Sequence, residues 1–356
     1  MEWLNDYFQL DVDLQTLYSD WAKRDTVFDK LVKDRFKGLR MLRQDPWENL
    51  VSFICSQNNH ISRISKMVQA LCTNFGHCAG TLEVPGASEA TSQDYFAFPP
   101  PSALAAPSTT AKLRALGFGY RAEYIQKTAQ MLLEDAMSGY TPCEVGAWSS
   151  EDARSKADAT AQKILHDLRG KNTEEAREAL LRFMGVGRKV ADCILLMSLD
   201  KREVVPVDTH VYQIAVKHYS YRVPGSPSKG TNGKVPMTPK IYDAVASKFV
   251  ELWGNWAGWA HSVLFTADLK SFATYGLVSP SPSPAISPTK ERATNPLDDV
   301  TPSPSPSKRK RSVRDSRNDE GATNALENEM NSESDLATRV KNRKRLRSSS
   351  SLRPTE

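Results

Sequence analysis

The sequence predicts a mainly α fold over residues 1–270 and an unstructured tail over residues 271–356, and three observations carry that division. Ile61, Ile64, Met67, Val68, Leu71, Cys72 and Phe75 recur at spacings of three and four, the period of a helix buried on one face. Few segments alternate apolar and polar residues as half-buried strands do. Beyond Lys270 the chain loses aromatic and branched apolar residues and becomes Ser279-Pro280-Ser281-Pro282-Ser283-Pro284 and then Thr301-Pro302-Ser303-Pro304, which cannot bury enough apolar surface to offset its ordering entropy.

The elements follow in order. Gly76 supplies a stop for the first periodic helix. Pro99-Pro100-Pro101 reads as a surface loop, and a second amphipathic helix starts near Arg121. A third covers Thr173 to Phe183. Val190 to Leu199 is apolar almost all round, which predicts a helix packed on every side in the middle of a bundle. A Pro-rich stretch from Val223 to Pro239 reads as a long surface loop, and a further helix spans Thr238 to Trp253 through Ile241, Val245, Phe249 and Leu252.

Charge and cysteine usage bound the function. Of the net charge of +5, the tail supplies most, with 15 Lys and Arg against 11 Asp and Glu, so any basic surface on the helical region must be local. Cys55, Cys72, Cys78, Cys143 and Cys193 form no C-x-x-C pair, which argues against a zinc module or a disulfide framework. An iron–sulfur cluster would need four closely spaced cysteines, and no metal or other cofactor is expected. The start lacks a positive segment followed by an apolar run, and no stretch approaches the roughly 18 apolar residues of a membrane span, so a soluble intracellular monomer is expected. Two basic clusters in the tail, Lys308-Arg309-Lys310-Arg311 and Lys341 to Arg347, suit a nuclear import receptor or phosphates, and the adjoining Ser-Pro and Thr-Pro pairs suit proline-directed phosphorylation. A nuclear location is expected, with a mitochondrial pool left open.

Chemistry concentrates between residues 183 and 210. Gly185-Val186-Gly187-Arg188-Lys189 sets two glycines around a small apolar residue and puts a lysine in the first turn of the following helix. Glycines let the backbone turn sharply and bring N–H groups, Val190's included, up to a phosphate, a pattern that grips a DNA backbone without reading sequence. No G-K-[ST] follows, which excludes a nucleotide-binding P-loop. Downstream, Val205-Pro206-Val207-Asp208-Thr209-His210 puts Pro206 at an expected N1 position and a carboxylate in the same helix's first turn. Asp208 alone would serve equally well as an ordinary cap. Its pairing with Lys189, at the starts of two consecutive helices, points to one cleft.

These residues resemble the eukaryotic 8-oxoguanine DNA glycosylase/abasic-site lyase family of helix-hairpin-helix DNA glycosylases, with the hairpin at residues 183–191. The likeness extends over Asp6 to Asp11, Leu42 to Pro46, Ser52 to Asn59, Leu116 to Arg121, Gly185 to Met197, Val205 to His210 and Trp253 to Leu269. It implies that Lys189 attacks the sugar C1′ of a flipped nucleotide and forms a Schiff base, and that Asp208 stabilises the developing positive charge. Burial and a helix start both disfavour the charged amine. It further implies that Cys193, Met197, His261 and Phe265 hold the base. Asn58 fills the gap and contacts the orphaned cytosine, Arg63 and Arg121 bond its edge, and Tyr120 wedges beside it. His210 contacts phosphate, oriented by Asp268. The family has a glutamine where this chain has His261, whose protonation would make base preference depend on pH. The family also carries an antiparallel-sheet domain before the region matched by Asp6, and no residue here takes its part in separating oxidised from normal guanine. Part of the core face that packs on that sheet in the family is expected to be exposed here, stabilised by Trp3 and Leu4. The expected partner is double-stranded DNA bearing a damaged base. Two alternatives stay open: a lyase or alkylated-base glycosylase without oxoguanine selectivity, and a non-catalytic DNA grip.

Overall fold

The computed structural model describes residues 1–32, 35–83, 92–138, 151–221, 237–272 and Tyr275; the two basic clusters, the Ser-Pro repeats and most of the Val223–Pro239 stretch lie outside the described residues. The first helices are α1 (Glu2–Tyr7), α2 (Leu14–Arg24) and α3 (Thr26–Leu31), and Asp13 and Asp25 cap the second and third by accepting N–H bonds from Thr16 (3.1 Å) and Val27 (2.8 Å). In α4 (Pro46–Ser56), Asp45 is the cap and Pro46 begins the first turn, where its missing N–H costs no bond. The periodic segment forms α5 (Ile61–Phe75) with Gly76 at its end, although Ile61 itself is 62% exposed.

Next comes a two-stranded antiparallel hairpin, β1 (Cys78–Glu83) and β2 (Ser92–Phe96), which the sequence does not announce. Every residue of β1 is exposed, so neither face selects for alternation. The chain continues through α6 (Pro101–Ala105), α7 (Pro107–Ala115), α8 (Arg121–Met137), α9 (Glu151–Asp167), α10 (Thr173–Leu181), α11 (Arg188–Ser198), α12 (Thr209–Tyr219), α13 (Pro239–Trp253) and α14 (Ala257–Asp268). Pro99 to Pro101 is no free surface loop. Pro99 is buried and accepts the Trp47 indole N–H at 2.9 Å, and Pro101 opens α6.

Apolar side chains gather in two clusters. One joins α4, α5 and α6 to α10; the other joins α2, α3 and α12 to α14. The helix expected to be apolar all round, α11, lies at their seam, with Val190, Ala191, Ile194 and Leu195 in the first cluster and Leu196 in the second. Burial on both sides fixes its rotation and therefore the direction of its first turn. Pro206 does not begin α12. The Asp208 carboxylate accepts the N–H groups of His210 and Val211, both at 2.9 Å, which sets the helix start three residues later, at Thr209, and leaves Pro206 buried in the preceding segment. Trp3 is 70% exposed and stacks on Tyr7 at 5.4 Å, and Leu4 is 41% exposed. No helix among the described residues is long and apolar enough to cross a membrane.

Candidate active site

The turn entering α11 is built on Gly185. Its φ of +80° suits glycine, and a Cβ there would stand 2.5 Å from the Tyr124 ring. Gly187 differs: it is extended, caps α11, and nothing lies within 4 Å of where its Cβ would be. Gly185 is thus required by the turn, whereas Gly187 keeps the helix start open to an incoming anion. Val190 buries its side chain in the core, so its backbone N–H is the group it can offer there. Gln57 at the end of α4 donates to the Gly185 carbonyl and ties the turn down.

Below this turn opens a cavity of about 1030 Å³, lined by Phe53, Lys189, Cys193, Met197, Asp208, His210, His261 and Phe265 among others. Lys189 is half-buried, its Nζ 4.8 Å from the centre of the Phe53 ring. Cys193 lies one helical turn on and is 3% exposed. Burial pushes its thiol up to about 11, against the opposing charge and hydrogen bond of Lys189, so it remains an uncharged partner of the amine. Asp208 enters from the α12 start. A groove of about 890 Å³ beside α2 holds none of these groups, and no cluster of side chains suited to a metal occurs among the described residues.

His261 is 4% exposed, and neither ring nitrogen has a hydrogen-bond partner. Burial lowers its pKa to about 4, the Asp208 charge opposing and His210 and Lys189 reinforcing the shift. This overturns the expected pH-dependent base preference, because the ring stays neutral throughout the physiological range. The titration appears instead in stability. Between about 6.5 and about 4 the unfolded chain binds a proton that the folded chain does not, so stability present above 6.5 is lost on acidification, with a slope approaching about 1.4 kcal/mol per pH unit. His261→Gln is expected to lose less stability than the wild type across that window in chemical denaturation; parallel curves would contradict the buried neutral imidazole.

The residues expected to meet the opposite strand form one rim. Asn58 is exposed at φ +44°, and Tyr120 stands beside it with its hydroxyl 3.3 Å from the Gln57 carbonyl. Arg121, however, is 4% exposed: its guanidinium donates to the carbonyls of Gln57 and Asn58 and stacks over Tyr120 at 4.5 Å. Arg63 donates to the Gly117 carbonyl at 3.1 Å. Both guanidinium groups therefore brace loops here, and Arg121 holds the turn that presents Asn58. His210 lies within ion-pair distance of Asp268, as expected, but shares it with two other groups. Its Nε2 is 3.7 Å from Asp268 and unbonded, while Asp268 accepts from Lys217 at 2.6 Å and pairs with His218 at 3.2 Å. Burial raises the Asp268 pKa, but those bonds and the Lys217 charge outweigh it and leave it lowered. The His210 ring also meets Phe265 edge-on at 4.9 Å. Sequence reading missed Gln57, Tyr124 and Phe53 as parts of the site. Gln57 and Phe53 lay inside a motif already singled out, but nothing along the chain marks which of its residues turn toward the hairpin.

Comparison with known proteins identifies the family. The family model described as HhH-GPD superfamily base excision DNA repair protein matches residues 51–229, and that of the 8-oxoguanine DNA glycosylase N-terminal domain matches residues 1–50, where the described structure is helical. The N-glycosylase/DNA lyase of Saccharomyces cerevisiae is 39% identical over 272 residues, covering 74% of this chain and 65% of that protein. The N-glycosylase/DNA lyase OGG1 of Arabidopsis thaliana is 35% identical over 271 residues, covering 76% and 63%. The chain thus spans just under two thirds of these curated relatives. Among solved structures, the Clostridium acetobutylicum 8-oxoguanine glycosylase/lyase in complex with duplex DNA containing cytosine opposite 8-oxoguanine superposes with a TM-score of 0.51 at 30% identity, covering 74% of this chain and 72% of that one. The resemblance drawn from the motifs therefore holds, and the chain belongs to the HhH-GPD superfamily of base excision DNA repair proteins.

Proposed function

We propose that this protein is a bifunctional DNA glycosylase and abasic-site lyase that removes 8-oxoguanine opposite cytosine. The observation that carries the reading is the convergence of Lys189, Cys193 and Asp208 on one cavity, with Lys189 in the first turn of the helix that follows the Gly185 turn. A pure DNA grip needs the glycines but neither the amine nor the carboxylate. The names of the yeast, plant and clostridial relatives support the same reaction.

The hairpin N–H groups hold a phosphate, and the target nucleotide leaves the stack to enter the cavity. The free amine of Lys189 attacks C1′ as the N-glycosidic bond breaks, and the bond's electron pair leaves with the base, which takes up a proton. Asp208, ionised, offsets the positive charge that develops on the sugar. The amine gives up a proton, and its lone pair forms the C1′=N bond as the C1′–O4′ bond breaks, the electron pair going to O4′, which takes up a proton and leaves the ring open as the protonated imine. Loss of the C2′ proton then expels the 3′ phosphate with the C3′–O electron pair. Phe265 and the Cys193 side offer the two faces of the base pocket, and neutral His261 offers one donor and one acceptor to a base edge. Asn58 and Tyr120 occupy the space the base has left, with Arg63 and Arg121 at the rim.

Borohydride trapping decides the reading. Adducts on both an 8-oxoguanine·cytosine duplex and an abasic duplex are expected, with the first much faster than on an undamaged guanine·cytosine duplex. Trapping on the abasic duplex alone would make the protein a lyase, and no adduct on either would leave a DNA grip. The clusters Lys308–Arg311 and Lys341–Arg347 are assigned to nuclear import, which a reporter fused to residues 271–356 would check by losing its nuclear signal when both clusters are neutralised.

A further inference from the structure

Lys189 and Asp208 are supplied from opposite sides of a seam: the amine by the first turn of α11, the carboxylate by a segment packed in the second apolar cluster. One buried polar side chain joins the two. Tyr242 of α13 is 5% exposed, and its Oη accepts the Val207 N–H at 3.1 Å while donating to the Asp192 carboxylate of α11 at 2.6 Å. Val207 immediately precedes Asp208. Asp192 lies three residues after Lys189 and one before Cys193.

The far end of this bridge is fixed in turn. Asp192 is 2% exposed and accepts from Arg177 of α10 at 2.7 Å and from Arg188 at 3.3 Å. Arg188 spans the same seam from the solvent side, with its guanidinium 5.0 Å above the Tyr242 ring and 3.1 Å from Asp243. Burial, followed by the Asp192 charge, holds the Tyr242 phenol far above its ordinary pKa, so it persists as a donor. Apolar contact alone would let the two clusters slide by fractions of an ångström. A hydroxyl that must both accept and donate fixes the spacing, and its bonds are costly to leave unmade when buried.

We infer that Tyr242, bonded between Asp192 and the Val207 amide, is a positioning residue that sets Asp208 at working distance from Lys189. The inference rests on the proposed lyase reading for its kinetic readout but not for its structural one. Tyr242→Phe keeps the ring and removes the bridge. It is expected to slow single-turnover trapping roughly tenfold, with duplex affinity unchanged, as a small misplacement of reacting groups would. In an Asp208→Asn background the same change should cost less than about twofold, because the group it positions is already gone. Equal slowing in both backgrounds, or wild-type rates in Tyr242→Phe, would overturn the inference. Hydrogen exchange at the Val207 amide gives the second measurement. Protection there should fall at least about tenfold in the variant relative to other buried amides of the same cluster. Should the wild type form no adduct, the functional reading falls, and unchanged Val207 protection would then dismiss the bridge separately. If Tyr242→Phe does not fold, Asp192→Asn examines the same bridge from its other end, with the same expected coupling to Asp208 and the same exchange readout.

Discussion

Lys189→Gln is expected to abolish the borohydride-trapped adduct, with excision falling by about 10³-fold or more while affinity for a duplex carrying a stable abasic analogue changes less than about threefold. The glutamine amide has no lone pair available to form an imine, so the covalent route is lost outright rather than slowed. Binding is expected to survive because the proposed phosphate site consists of backbone N–H groups around Gly187, whose surroundings are open and which the substitution does not touch. At the cavity wall the substitution removes the stacking of the Lys189 Nζ on Phe53 and its hydrogen bond with Cys193, and a half-exposed cation–ring pair of this kind contributes about 1 kcal/mol or less. Mass spectrometry of the reduced wild-type adduct supplies the decisive mapping. A cross-link at any residue other than Lys189, or one persisting in the variant, would remove the amine from its assigned part.

Gly258→Ala is expected to damage the fold severely. Gly258 sits in the first turn of α14, where a Cβ would lie 2.3 Å from the Val204 carbonyl oxygen, 2.5 Å from Leu196 Cδ1 and 2.9 Å from the Arg202 carbonyl oxygen. Two of these three atoms belong to backbone, which cannot rotate away as a side chain can. The Gly258 N–H also donates to the Arg202 carbonyl at 2.9 Å, so relieving the overlap would stretch that bond. A loss of about 3 kcal/mol or more is expected, which in a chain of this size lowers the melting temperature by roughly 10 °C. Gly170→Ala, where nothing lies within 4 Å of the added carbon, serves as the control and should melt near the wild type. Because residues 202–204 lead directly into the Asp208 segment, a Gly258→Ala protein that still folds should also excise slowly. A variant melting within about two degrees of the wild type would mean that the helix and this segment lie farther apart than the overlap requires.

Much of the fold was legible because its helices obey local rules. Asp45 before Pro46 and Thr238 before Pro239 are caps whose chemistry acts within a turn of the chain, whereas Gly76 ends its helix in an extended conformation and is required by the Ala97 carbonyl oxygen, which a Cβ there would overlap. The all-round apolar character of Val190 to Leu196 already implied a central helix, since only burial on every side tolerates it. The exposed hairpin of β1 and β2 left no such trace: with neither face buried, its strands needed no alternation. Pro206 misled for a different reason. Proline suits the first turn of a helix, but the Asp208 side chain captured two amides farther on and moved the start.

For the site, the sequence by itself determined which groups are the candidates: an amine in a first helical turn, a carboxylate at the next helix start, and a pair of glycines at the turn before the amine. Only the tertiary structure decided which of the polar groups are partners. Asp268 is hydrogen-bonded by Lys217 and His218 as well as standing 3.7 Å from His210, Arg121 braces the Asn58 turn, His261 is too buried to titrate near neutrality, and Tyr242 joins Asp192 to Val207. The reason is distance. Capping and periodicity act over three or four residues, whereas these partners stand as many as 63 residues apart in the chain, and the choice among several chemically equivalent ones is made by packing to within an ångström.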